Sequence, residues 1–259
     1  MPGRLATVKR LLRRGRSEGT PGFFDRFPRF QQTSHTSPGV HRLNLRHEAI
    51  FGSHGEVLAG ARVLDIASHD GRWSLAALEA GAVSVVGIEA RPELVANATD
   101  NLAHYGYGAD RVDFVAGDVF TVLAEQSFDV DVVLCLGFLY HTLRYNELLA
   151  GIRAAGPRHV IIDTEVLGGR EGPLIRLRLE PSAREGNAVA DEYTTGSHVL
   201  TGRPTPAGLD LMARAYGFVP DGHTDWAALL EAHPEVAGMN DYRRGGRVTV
   251  RWRADHPAD

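Results

Sequence analysis

The chain has 259 residues, 43% of them apolar and 23% charged, with 28 basic against 32 acidic side chains and a formal net charge of −4. That composition belongs to a folded chain with a sizeable core and excludes the disordered, collagen-like and disulfide-stapled classes. Mild acidity argues against wholesale nucleic-acid binding, which needs a dense basic surface. The single cysteine, Cys135, sits in the apolar run VDVVLCLGF and reads as a core residue; alone it excludes an intrachain disulfide and a multi-cysteine zinc site. No apolar run is long enough to span a membrane, and residues 1–16 lack a secretory signal, so a cytoplasmic protein is expected.

Residues 4–16 carry Arg4, Lys9, Arg10, Arg13, Arg14 and Arg16 among leucines at helical spacing, which predicts a short basic amphipathic helix with a solvated face. Residues 17–40 are rich in Gly, Pro, Ser and Thr and hold Phe23, Phe24, Phe27 and Phe30. These aromatics are expected to pin an arm onto the domain or to meet a second copy in a homodimer. Residues 1–60 are thus an N-terminal arm and helices over a cleft.

From Arg62 the pattern turns regular. β-Branched runs at RVLDIA, VSVVGIEA, VDFVAG, VDVVLCL and HVIIDT alternate with helical patterns near 73–79, 92–104, 121–125 and 145–155. Such alternation predicts an α/β, doubly wound, Rossmann-like and mostly parallel sheet over residues 61–164. Nearly continuous apolar runs imply strands covered on both faces, each of them central. After Thr164 comes an insertion, 165–205, in which LIRLRLE reads as a half-exposed strand. Residues 206–259 supply a helix at 206–216, a short strand at FVPDG and a clear one at RVTVRWR, expected as an antiparallel strand at the sheet edge.

Ligands of doubly wound sheets bind at the carboxyl ends of the strands, and VLDIASHDG spans the first such end. A dinucleotide fingerprint would require glycines where Ala67, His69 and Arg72 stand. The segment resembles motif I of the class I S-adenosylmethionine-dependent methyltransferases, an acid followed by x-G-x-G-x-G, with Asp65, Ala67, His69 and Gly71 in those slots. Three further positions fit the resemblance. VVGIEA places Glu89 where the family holds both ribose hydroxyls, a task suited to a carboxylate. FVAGDVF places Asp118 and Val119 at the adenine, and LCLGFLYHT places Leu136 beside the transferred methyl. The likeness extends to the wobble-uridine tRNA methyltransferase-like proteins and to bacterial sugar and small-molecule O-methyltransferases. It implies S-adenosylmethionine as cofactor, S-adenosylhomocysteine as product and a class I methyltransferase fold.

Methyl transfer to an alcohol requires that a proton leave, and His141 is the candidate general base, with Tyr140 beside it to orient donor or acceptor. Arg46 is the candidate partner of the donor's carboxylate. Asp163 and Glu165 end the fifth strand and, with Tyr193 and His198 of the insertion, are candidate substrate ligands. Mg2+ is possible here, although no pair of ligands has a diagnostic spacing. Polar residues Arg176, Arg178, Asp191, Glu192 and Arg203 lean the acceptor toward a hydroxylated small molecule, a saccharide before others. The alternatives are tRNA methylation, a nicotinamide-dependent oxidoreductase and a non-catalytic donor-binding module.

Overall fold

The computed structural model describes residues 22–33, 39–184 and 186–255. The basic segment 4–16 lies outside them. A 3-10 helix over Phe23–Arg26 is followed by two short helices, α1 (Arg29–Thr33) and α2 (Val40–His47), the second continuing into a π turn over Glu48–Gly52. Then follow β1 (Arg62–Ile66), α3 (Arg72–Glu79), β2 (Ser84–Glu89), α4 (Pro92–His104), β3 (Val112–Ala116), α5 (Val119–Glu125), β4 (Val132–Leu136), α6 (Tyr145–Ala154) and β5 (His159–Glu165). Pro92 opens α4 at its first turn, where a missing N–H costs nothing. Asp118 caps α5, its Oδ1 accepting from the backbone N–H groups of Phe120 and Thr121 at 2.9 and 3.2 Å.

Beyond β5 come β6 (Ile175–Pro181), β7 (His198–Pro204), α7 (Pro206–Ala215), β8 (Phe218–His223), α8 (Trp226–Ala232), α9 (Asn240–Arg243) and β9 (Arg247–Ala254). The main sheet has seven strands in the order β3-β2-β1-β4-β5-β9-β8. β1 to β5 are parallel, while β9 runs antiparallel to both β5 and β8. Two expectations need correction. RVTVRWR is an inner strand, because FVPDG pairs along its far side and takes the edge. β3 is not central: it ends the sheet on the other side, and only Val112 of its five residues is buried. β6 and β7 form a separate two-stranded antiparallel sheet, and β7 is absent from the sequence reading because Gly202 and Pro204 weaken its strand signal.

Two apolar layers sandwich the main sheet, Val133, Cys135 and Ile162 facing one and Val132, Leu134 and Ile161 the other. Cys135 is fully buried in the first, its thiol pushed up to about 12 by burial. The arm is fastened to the second layer. Phe24 packs edge-on against Trp73 at 5.4 Å, Phe27 against Tyr105 at 5.0 Å, and Phe23 stacks on His47 at 3.9 Å. Burial, with Arg26 nearby, lowers the His47 pKa to about 4, so that imidazole packs as a neutral ring at neutral pH.

Candidate active site

The carboxyl ends of β1 to β5 open into a cleft of about 650 Å³. Its first wall is the turn after β1. Ala67, His69 and Gly71 all hold positive φ, at 55°, 53° and 80°. The backbone therefore keeps the left-handed conformations that glycines would supply, at a cost of about 1–2 kcal/mol for each of the two side-chain-bearing residues. Buttresses hold it there. Glu89 Oε2 accepts from the His69 N–H at 3.0 Å, Asn101 donates to the Asp70 carbonyl at 3.0 Å, and the Asp70 carboxylate grips Arg72 in a buried two-point pair at 2.7 and 2.6 Å. Burial opposes ionisation of Asp70, but the Arg72 guanidinium and His69 hold it well below the usual carboxylate range. Gly71 is required on a second ground: a Cβ there would lie 2.6 Å from Leu102 of α4.

Of the motif residues, Ala67 and His69 line the cleft, whereas Asp65 and Gly71 do not. Asp65 is buried beneath the turn and accepts from Ser74 Oγ at 2.7 Å, so its side chain supports the turn and does not meet a ligand directly. Burial drives the Asp65 pKa up to about 7, the Ser74 hydroxyl opposing the rise. The folded value exceeds the unfolded one of about 3.9, so the contribution of Asp65 to stability is whole below about pH 4 and lost as pH rises through 7. Asp65→Asn is accordingly expected to gain on the order of 2–4 kcal/mol relative to the parent between pH 4.5 and 8.5, read as the difference of urea-unfolding free energies at matched pH. His47 titrates equally in both chains and cancels in that difference. A gap that stays constant with pH would refute the raised pKa.

Glu89, Asp118, Val119 and Leu136 line the same cleft. Each Glu89 oxygen already accepts one backbone N–H, from His69 and from Arg91 at 3.0 Å apiece, which aims the carboxylate and leaves further lone pairs for a diol. Asp118 spends Oδ1 on its helix cap, with Oδ2 remaining for an amino donor.

At the other end of the cleft stand Tyr140, His141 and Glu165. The His141 ring nitrogen Nδ1 lies 2.6 Å from Glu180 Oε2, and Glu180 also accepts from the Ala188 N–H at 3.3 Å. Burial works against the Glu180 charge, but the His141 ring and the Ala188 N–H hold its pKa below the ordinary range. An ionised carboxylate only accepts, so Nδ1 carries the shared proton, and whenever the ring is neutral Nε2 is the acceptor. Glu180 was missed from sequence because LIRLRLE alternates, and its charged side reads as solvated.

Two candidate substrate ligands are corrected. Asp163 is fully buried, engaged by Arg46, Arg247, Tyr242 and Thr249, and does not line the cleft. His198 opens β7 on the exposed side, 3.0 Å from Ser197 Oγ, and does not line it either. Tyr193 and Glu165 do, Glu165 paired with Arg203. Arg46 bridges two sites. One nitrogen binds Asp163 at 2.8 Å, its guanidinium lies 5.0 Å from the Trp73 ring centroid, and its buried Nε has no partner among the described residues. Among the described residues no group of three or more His, Cys, Asp or Glu side chains could hold a metal, and no helix is long and apolar enough to cross a membrane.

Residues 63–155 match a family model described as a methyltransferase domain. Those residues carry a methyltransferase domain, and the chain around them has the class I methyltransferase fold. A curated relative, protein-L-isoaspartate O-methyltransferase 2 of Anaeromyxobacter sp. (strain Fw109-5), is 32% identical over 136 residues, 49% of this chain and 55% of that protein. The chain thus spans about half the length of the curated relative it matches. Solved structures share the fold at lower identity. The N-terminal domain of EvdMO1 with S-adenosylhomocysteine bound superposes with a TM-score of 0.56 at 20% identity, covering 77% of each chain. That domain has also been crystallised in the presence of S-adenosylhomocysteine and D-fucose. The 1,6-didemethyltoxoflavin-N1-methyltransferase of Burkholderia thailandensis, bound to 1,6-didemethyltoxoflavin and S-adenosylhomocysteine, gives 0.55 at 19% identity, over 90% of this chain and 86% of that one. In this methyltransferase domain the mostly parallel sheet and the cleft at its strand ends follow the expectation from sequence.

Proposed function

We propose that the chain methylates a hydroxyl of a small polar acceptor, with saccharides as the favoured class, using S-adenosylmethionine and releasing S-adenosylhomocysteine. The observation that carries the reading is that His141, in the cleft wall, is held by Glu180 from behind, 2.6 Å away. A histidine held by a carboxylate at Nδ1 presents Nε2 as a general base, and hydroxyl methylation is the case that needs one.

When bound, the donor supplies a methyl group on a positively charged sulfur. Glu89 takes its ribose hydroxyls, Asp118 Oδ2 and the Val119 backbone its adenine, and Leu136 with the turn at Ala67 and His69 flanks the remainder. The unpartnered, buried Arg46 Nε fits an arriving carboxylate. His141 Nε2 accepts the acceptor's hydroxyl proton as the oxygen bonds to carbon, Tyr140 lying 4.1 Å from its ring to limit its orientation. Glu165, held by Arg203, and the pair Arg42–Asp241 give the cleft donors and acceptors side by side, as a hydroxyl-rich acceptor requires. The D-fucose in the EvdMO1 crystals supports the same class.

The donor half is tested by calorimetric titration with S-adenosylhomocysteine. Glu89→Ala is expected to weaken binding about 100-fold, the loss of two hydrogen bonds to a charged group. A parent protein that takes up no S-adenosylhomocysteine would overturn the reading. Labelled methyl transfer to a panel of monosaccharides tests the acceptor half.

A further inference from the structure

Residues 186–194 cross the cleft between the end of β2 and the start of α5, and three side chains fasten them. Arg91 donates to the Asn187 carbonyl at 3.0 Å, two residues from Glu89, and its own N–H is bound by Glu89. Arg144 lies 3.4 Å from Asp191 and 3.3 Å from Glu192, with its guanidinium 3.8 Å from the Phe120 ring centroid and 3.9 Å from Asp118. Glu180 holds the Ala188 N–H with the same oxygen, Oε2, that binds His141. Two of the fasteners thus spring from beside the residues assigned to ribose and adenine, and the third is the carboxylate that orients the base. Asn187, Ala188, Val189, Asp191, Tyr193 and Thr194 all line the cleft.

We propose that residues 186–194 form a strap over the adenosine half of the cleft, and that Glu180 is a positioning residue that ties the seating of this strap to the orientation of His141. One carboxylate oxygen serves both, so the rotamer that receives the Ala188 N–H is also the one that fixes the imidazole. With the strap lifted, Glu180 loses one of its two anchors and the ring loses its fixed partner. Coupling of this kind is reciprocal: what loosens Glu180 must loosen the strap, and hence the donor beneath it. The inference rests on the methyltransferase reading of the cleft, and its test separates the two.

The test is the release of S-adenosylhomocysteine from the full chain, followed by stopped-flow displacement, in Glu180→Ala, Arg144→Ala, the double variant and His141→Ala. Glu180 lines up with no assigned donor group, so a role confined to the base would leave release unchanged. Release about five- to tenfold faster is expected for Glu180→Ala, what one ordinary hydrogen bond is worth, and at least tenfold faster for Arg144→Ala. The double variant should fall short of the product of the two, because both free the same segment. His141→Ala keeps the Glu180–Ala188 bond but takes away the carboxylate's other anchor, so by the same reciprocity release should quicken, by no more than about twofold. Slow amide exchange over 186–194 in the bound parent, accelerated in Glu180→Ala, is the accompanying structural readout. Parental release in Glu180→Ala, or full additivity in the double variant, would overturn the coupling. Failure of the parent to bind S-adenosylhomocysteine would overturn the donor reading along with it.

Discussion

Replacing Asp163 by alanine is expected to cost about 3–5 kcal/mol of folding free energy at pH 7, the loss typical of breaking a buried charge cluster from one side. Asp163 is fully buried and accepts from Arg46 Nη2, Arg247 Nε, the Tyr242 hydroxyl and Thr249 Oγ1 at 2.8, 2.8, 2.9 and 2.7 Å. Arg247 is buried too, so truncation strands a guanidinium whose nearest remaining carboxylate among the described residues is that of Glu165, 4.0 Å away. Burial works against the Asp163 charge, but Arg247 and Arg46 hold its pKa far below the unfolded range. The stability it contributes is therefore present above about pH 4 and lost as pH falls through the depressed folded value. Asp163→Asn keeps the shape and removes the charge; it should lose less than the alanine variant while still unfolding at lower urea. Urea unfolding at pH 7 measures both, and a loss under about 1 kcal/mol in each would mean that the guanidiniums find water or other partners. The consequence for function runs through Arg46 and Arg247, which line the cleft and are aimed by this one carboxylate.

That cluster also marks where sequence reading stops. HVIIDT announces a buried strand, and an acid at the carboxyl end of such a strand is rightly suspected of facing a ligand. Asp163 faces instead the residues that β9 brings alongside it, Thr249 in direct register and Arg247 two residues before. These lie 84 to 86 residues later in the chain, and nothing local forecasts the pairing. The places of Glu89 and Asp118 in the cleft wall were legible for the opposite reason: a parallel strand leading into a helix fixes where its last residues must stand, whatever the rest of the chain does. The turn after β1 was half legible. Alanine and histidine in motif slots argue against a glycine turn by composition, yet the φ angles at Ala67 and His69 remain those of glycine, because Glu89 and the Asp70–Arg72 pair hold the backbone from outside. Glu180 and His198 were misjudged together. A period-two pattern reports which residues share a side of a strand, not which side is covered, and the covering here comes from β7 and the turn that carries His141.

His141→Ala is expected to lower kcat/KM for a hydroxyl acceptor about 10²–10⁴-fold while leaving S-adenosylhomocysteine affinity within about twofold. The expectation follows from placement. The ring lies in the cleft wall, its Nδ1 is spent on Glu180, and no backbone hydrogen bond among the described residues depends on the side chain, so its removal takes away Nε2, the Glu180 contact and little else. Glutamine at the same position separates base from scaffold: its amide can still donate to Glu180 but cannot take up a proton, so His141→Gln should be as inactive as alanine if Nε2 is the base. Imidazole added to the alanine variant should restore part of the rate, since the vacated space adjoins the Glu180 carboxylate that would orient it. Activity within about fivefold of the parent in both variants would show that the acceptor gives up its proton without help. The cleft would then be serving an acceptor more nucleophilic than an alcohol, such as an amine or a ring nitrogen, and Glu180 would be holding a histidine that orients the acceptor instead of deprotonating it.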